Sequence, residues 1–178
     1  MRGVKIAKLI QESNSRDAVL STTYEDNEIS KGNCYQIKKR ITLASEETLK
    51  LCFDFSQTDK VIYSMPVIKV PNQGNLFTDT YFVDSVADGS TYDTPLNMNA
   101  NSSNTAETPV KTGVTETGDQ QFLREYTDGS PITNQASGGG TFLSDRPKIL
   151  PNKPLIIYFQ NQETEEMVID FNYNWYEI

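Results

Sequence analysis

The chain of 178 residues contains no histidine, and this absence excludes more chemistry than any other feature of its composition. Histidine is the usual general base near neutral pH and the commonest zinc ligand. Without it, neither a Ser-His-Asp nor a Cys-His arrangement can be assembled within the chain. Cysteine is scarce as well: Cys34 and Cys52 are the only two. Each falls in a strand-like stretch, where a buried thiol acts as a small apolar side chain. A disulfide between neighbouring strands is the alternative for the pair.

Long apolar runs are also missing. None approaches the roughly 20 residues of a transmembrane helix, and the N-terminus lacks the continuous apolar stretch of a secretion signal. Synthesis in a cytosol without a membrane partner is the expectation. Hydrophobic residues make up 37% of the chain, below the usual share, so long polar loops must dilute the core. Cations are in the minority, 16 against 24 acidic residues, for a net charge of −8. A nucleic-acid binder needs a basic patch to displace counterions, so nucleic acid is not an expected partner. The acidity fits a soluble protein that does not self-aggregate, or one that docks onto a basic surface.

What is present is alternation. Along residues 167–178, Met167, Ile169, Phe171, Tyr173 and Trp175 share one face, and Val168, Asp170, Asn172, Asn174 and Tyr176 the other. A strand has a period of two, so this describes a sheet with one buried and one wetter face. Tyr35, Ile37, Lys39, Ile41 and Leu43 alternate with Cys34, Gln36, Lys38, Arg40 and Thr42. After a turn at Ser45-Glu46-Glu47, Leu49, Leu51, Phe53 and Phe55 form the next apolar face. These two segments are expected to be consecutive antiparallel strands of one sheet.

Further strands are expected over 61–70, interrupted by Pro66 at an edge or bulge, and over 78–83, 110–117, 148–150 and 155–159. A polar hairpin at 162–166 is expected to lead into the terminal strand. A turn is expected at 127–131 and a flexible loop at 137–140. The total is about eight short strands with almost no helical periodicity. Their spacing predicts an all-β fold, a jelly-roll-like antiparallel β-sandwich over residues 32–178. Residues 1–31 differ in composition and are read as an extended arm. Its first nine residues carry Arg2, Lys5 and Lys8 among Val4, Ile6, Ala7 and Leu9. Residues 87–109 form the longest polar stretch, and loops of that length are often functional.

No catalytic constellation emerges. Asp54, Asp79, Asp84, Asp170 and Glu177 could pair as acid and base on paper, but surface carboxylates on outward strand faces account for them. No Asp-x-Asp-x-Asp spacing points to calcium. The Ser137-Gly138-Gly139-Gly140 loop lacks the lysine and the strand–loop–helix setting of a phosphate cradle. The reading is a non-enzyme without metal or cofactor. Trp175 and Tyr173 belong to the apolar face and are expected in the core. Tyr176, on the other face, is the freer aromatic and the candidate for a carbohydrate-binding platform.

Two stretches carry a resemblance. Thr94-Pro95-Leu96-Asn97-Met98-Asn99-Ala100-Asn101-Ser102-Ser103-Asn104-Thr105, followed by a weak strand, is one. Ile149-Leu150-Pro151-Asn152-Lys153-Pro154-Leu155-Ile156-Ile157-Tyr158-Phe159 with the later Phe171-Asn172-Tyr173-Asn174-Trp175-Tyr176-Glu177 is the other. Together with Gly32-Asn33-Cys34-Tyr35 they resemble small head auxiliary proteins of tailed bacteriophages, the capsid decoration or cementing family, over most of residues 32–178. The chain departs from that pattern in having Ile149 before Leu150, where a lysine is usual, and in its acidity.

The resemblance implies a structural virion protein, made in the bacterial host cytoplasm and placed on the capsid exterior. Its partners would be the major capsid protein and further copies of itself, with a trimer favoured over a dimer. Candidate contact residues under this reading are Arg2, Lys5 and Lys8 of the arm, Asn97, Met98, Asn99, Asn101 and Asn104 of the long loop, and Asn172, Asn174 and Tyr176 of the last strand. A head-fibre or tail-adaptor base and a carbohydrate-binding β-sandwich module are the alternative functions.

Overall fold

The structure, a computed structural model, describes residues 24–69, 75–125 and 148–178. Arg2, Lys5, Lys8, the expected turn at 127–131 and the expected loop at 137–140 lie outside the described residues. The elements are α1 (Tyr24–Ser30), β1 (Cys34–Leu43), β2 (Thr48–Asp54), β3 (Ile62–Lys69), β4 (Leu76–Phe82), β5 (Ser85–Asp93) and β6 (Leu96–Asn97). They continue with β7 (Val110–Thr117), β8 (Gln121–Glu125), β9 (Lys148–Leu150), β10 (Pro154–Asn161) and β11 (Met167–Glu177). A front sheet has the order β6-β1-β11-β3-β9 and a back sheet the order β5-β7-β2-β10-β4-β8. All pairings are antiparallel. The two sheets pack as an all-β sandwich.

Leaving out β5–β7, the front order is β1-β11-β3-β9 and the back order β2-β10-β4-β8. The chain changes sheet at every step except from β4 to β8, which pair with each other. The insertion widens the back sheet beyond β2 through the β5–β7 hairpin and flanks β1 with β6.

Several expectations are corrected by this connectivity. β1 and β2 are not neighbours: they lie in opposite sheets, and β1 pairs with β11 from Cys34↔Tyr176 to Leu43↔Met167. The link from β10 to β11 likewise crosses between sheets and is not a hairpin. Part of the long polar stretch is ordered as β5 and β6, with Asp88 and Gly89 at positive φ of 56° and 84° within β5. The end of the arm forms a helix, α1. Cys34 and Cys52 are free, buried and in different sheets, so no disulfide joins them. Pro66 falls on β3 beyond Ser64, where its pairing with β9 ends, so the missing proline N–H breaks no described rung on that side.

The core lies where the two alternations face each other. Phe53 of the back sheet stacks on Tyr173 of the front sheet, with ring centroids 4.2 Å apart, and meets Trp175 edge-on at 5.6 Å. Phe159 and Phe171 make a similar edge contact at 5.6 Å. Such pairs add about 0.5–1.5 kcal/mol beyond burial. Lys39 sits in the core-facing parity of β1 between Ile37 and Ile41. Its Nζ bonds Asp93 Oδ2 at 3.0 Å and lies 4.6 Å from the Tyr92 ring centre, tying β1 to β5 along one side of the sandwich. A second apolar cluster, Cys52, Tyr81, Val83 and Ile156, is flanked by Val86 and Val114 of the inserted hairpin.

Candidate functional site

The asparagine loop is built around the end of α1. Gly32, at φ 76°, donates its N–H to Ile29 C=O at 2.9 Å, and Asn33 donates to Glu28 C=O at 3.0 Å. This is the Schellman ending, in which glycine takes the left-handed position. A helix end still leaves carbonyls without partners, and asparagine amides supply them. Asn99 Nδ2 donates to Ser30 C=O at 2.9 Å, and Asn97 Nδ2 to Gly32 C=O at 2.9 Å and to Asn104 C=O at 3.0 Å. Asn104 Nδ2 reaches Lys31 C=O at 3.3 Å and Gly32 C=O at 3.4 Å.

The side-chain oxygens are used locally. Asn97 Oδ1 accepts from Asn99 N–H at 2.9 Å and Asn99 Oδ1 from Asn101 N–H at 3.0 Å. These are the turns that asparagine makes with its own backbone. The candidate contact residues Asn97, Asn99 and Asn104 thus use their amides to clamp the loop to α1. Asn101 is exposed at its tip.

Beneath the clamp, the Glu28 carboxylate is buried and accepts from Lys31 Nζ at 2.6 Å, Asn33 Nδ2 at 2.8 Å and Asn27 Nδ2 at 3.1 Å. The Lys31 ammonium is the main reason its carboxyl is held below the usual range, the amides helping, while burial pushes the other way.

Trp175, Tyr176 and Glu177 are structural. Glu177 falls on the core-facing parity with Trp175, and a carboxylate placed there must be hydrogen-bonded. Its oxygens accept from Trp175 Nε1 at 3.0 Å, Thr108 N–H at 3.1 Å and Glu107 N–H at 2.9 Å. The motif thus anchors the far end of the same long loop.

Tyr176 is 5% exposed, which corrects the reading of it as a free aromatic. It lies opposite Cys34 on β1. The Cys34 thiol is pushed up to about 11 by burial, with a hydrogen bond to Tyr176 pulling the other way. Cys34 Sγ lies 3.1 Å from Met98 Sδ, and Met98 N–H donates to Cys34 C=O at 2.9 Å.

On the outer face of the front sheet, Gln36 Nε2 donates to Asn172 Oδ1 at 3.0 Å and Asn174 Oδ1 at 2.9 Å. Arg40 grips Asp170 through Nε and Nη2 at 2.8 and 3.3 Å. All eight described candidates therefore belong to the front sheet or to the loop at its β6 edge. Gln36 and Arg40 join them, and their polar parity on β1 was the available signal.

The carboxylates weighed for catalysis are engaged elsewhere. Asp54 takes Lys111, Asp84 takes Lys153, and Asp170 takes Arg40. The front surface offers amides, an ion pair and apolar rims, a chemistry of binding by shape and hydrogen bonds. Comparison with protein-family models, with curated proteins and with solved structures found no match to this chain, so the resemblance rests on its residues alone.

Proposed function

We propose that this chain is a non-catalytic structural protein of a bacteriophage virion, which binds the outside of the capsid and bridges neighbouring capsid subunits. The observation that carries the reading is the gathering of the described candidates on the front sheet and on the loop at its β6 edge. Gln36, Asn172 and Asn174 form an amide row on its outer face, and Asn101 stands at the tip of the adjacent loop. The strand order β1-β11-β3-β9 over β2-β10-β4-β8 supports a jelly roll, an architecture found in viral capsid and lectin domains. Fold alone does not choose between them. Tyr176 is buried, so the aromatic singled out for sugar stacking does not favour the lectin-like role.

A ligand that binds only the assembled shell stabilises it by mass action. Copies linked as an oligomer, a trimer in this reading, turn weak contacts into tight attachment. The test is co-sedimentation of the purified protein with capsids that lack it. Saturable binding at a fixed ratio is expected. Asn172→Arg/Asn174→Arg, with an unchanged circular dichroism spectrum, should weaken it at least about tenfold, the effect of losing about 1.4 kcal/mol. Absence of co-sedimentation refutes the role. Unchanged occupancy after deletion of residues 1–25 removes the arm from it.

A further inference from the structure

The two outer faces of the sandwich differ. On the back sheet, Leu51 and Phe53 face the core, so Cys52 faces out. It is nonetheless buried, in a cluster with Tyr81 and Ile156 that packs against Val86 and Val114 of β5 and β7. Glu116 of β7 fastens this cover, accepting from Lys50 Nζ at 2.6 Å and from the Tyr81 hydroxyl at 3.1 Å. On the front sheet, the outer positions of β1 and β11 form three rungs, Gln36↔Asn174, Lys38↔Asn172 and Arg40↔Asp170. Lys38 and Arg40 are exposed there and the three amides half-buried.

Hydrogen bonding within the row sets what it offers a partner. Gln36 Nε2 spends its protons on Asn172 Oδ1 and Asn174 Oδ1. Those two acceptors are engaged, while the asparagine Nδ2 groups, two donors each, meet no partner among the described residues. Lys38 makes no ion pair among the described residues. Asp170, the one acid in the three rungs, is gripped by Arg40, whose side chain is still 70% exposed. The row therefore carries two cations against one acid, in a chain with a net charge of −8, and it is rich in donors.

We infer that this row receives an extended acidic segment of a protein partner, whose carboxylates meet the Asn172 and Asn174 NH2 groups, Lys38 and Arg40. The inference rests on the capsid-binding reading and adds the chemistry of the surface bound. Outer side chains repeat along β11 at about 7 Å, and alternate carboxylates of an extended segment laid beside it repeat at the same distance. Bonds from amides and cations to carboxylates are charge-assisted and strong. A nucleic-acid backbone fits less well, because its binding draws on several cations and the row has two.

The experiment is an NMR titration of the full-length protein with hexaglutamate, read at the side-chain NH2 signals of Asn172 and Asn174, beside co-sedimentation with capsids that lack the protein. Saturable shifts of both signals are expected, with affinity at least about tenfold lower in Lys38→Glu and no shift from hexalysine. Capsid binding should fall by the same factor in Lys38→Glu and weaken as salt is raised. Lys38→Glu keeps the amide row and reverses a charge, whereas Asn172→Arg/Asn174→Arg keeps the positive charge and ends the row. Capsid binding that the arginines weaken and Lys38→Glu leaves unchanged overturns the inference and spares the capsid role. Absence of co-sedimentation refutes the capsid role, and the titration then decides alone. Absence of saturable shifts with hexaglutamate overturns the inference whatever the capsids do. So does a ten-nucleotide thymidine strand that shifts the same signals at lower concentration, which assigns the row to phosphate.

Discussion

The indole N–H of Trp175 and the carboxylate of Glu177, two residues apart on β11, meet at 3.0 Å inside the core. The same carboxylate holds the backbone of Glu107 and Thr108, so one side chain fixes the last turn of β11 to the entry of β7.

Removing that carboxylate orphans two buried donors, Trp175 Nε1 and the Thr108 N–H, and the part-buried Glu107 N–H. Glu177→Ala should lower the unfolding free energy by about 2–4 kcal/mol. Glu177→Gln should cost about half as much, because its amide oxygen still accepts while its NH2 meets donors. Urea denaturation monitored by Trp175 fluorescence measures both. Losses within 0.5 kcal/mol of zero, the range of ordinary surface changes, would contradict the anchoring role.

Gly32→Ala meets two obstacles. An added Cβ would lie 2.1 Å from Ser102 Oγ, and the residue sits at φ 76°. The backbone alone costs about 1 kcal/mol and the clash raises the total to about 2 or more. Ser102→Gly in the same chain should recover the clash and leave the backbone cost. A thermal melt that returns fully to the wild-type midpoint in the double variant would show that φ is not the constraint.

Glu28 predicts a pH dependence. Its folded pKa is lowered from an ordinary value of 4.5. It therefore adds stability above that value, and the addition fades as pH falls through the folded pKa. Glu28→Gln should be less stable than the wild type at pH 7, with a gap that narrows below pH 4.5. Urea midpoints at pH 3, 5 and 7 read this directly, and a gap independent of pH would rule it out.

The thiols should be silent in the folded protein. Burial pushes Cys34 up to about 11 and Cys52 up to about 12. A thiol-reactive disulfide reagent at pH 8 should label neither until denaturant is added, since the thiolate is the nucleophile. Met98→Ala uncovers Cys34 and should speed its labelling severalfold while Cys52 stays unreactive. Equal rates for the two would place the cover elsewhere.

Much of the fold was legible because alternation reports which face of a strand is dry. Met167, Ile169, Phe171, Tyr173 and Trp175 are all buried in the structure. Alternation does not report which sheet a strand joins, and so it suggests β1 and β2 as partners although each faces the other across the core. α1, with the sequence YEDNEIS, has no apolar period to announce it; its signal is the Gly32 that ends it. The clamp of Asn97, Asn99 and Asn104 on α1 is silent in the sequence, because polarity cannot tell an amide facing water from one facing a helix carbonyl. Alternation gives the face of Tyr176 correctly, but its burial depends on neighbours far away in sequence, among them Cys34.

The central place of β11 also sets a schedule. Its rungs to β1 and β3, and those of β10 to β2, all join residues 100 or more positions apart. Loop-closure entropy must be met before such contacts reward it, which puts folding on the slow, millisecond-to-second end of the range. On the ribosome the front sheet cannot close until residue 177 has emerged, and the apolar rows of β1 and β2 must wait exposed. During those seconds the nascent chain is a natural client for chaperones, well before any partner can meet the finished surface.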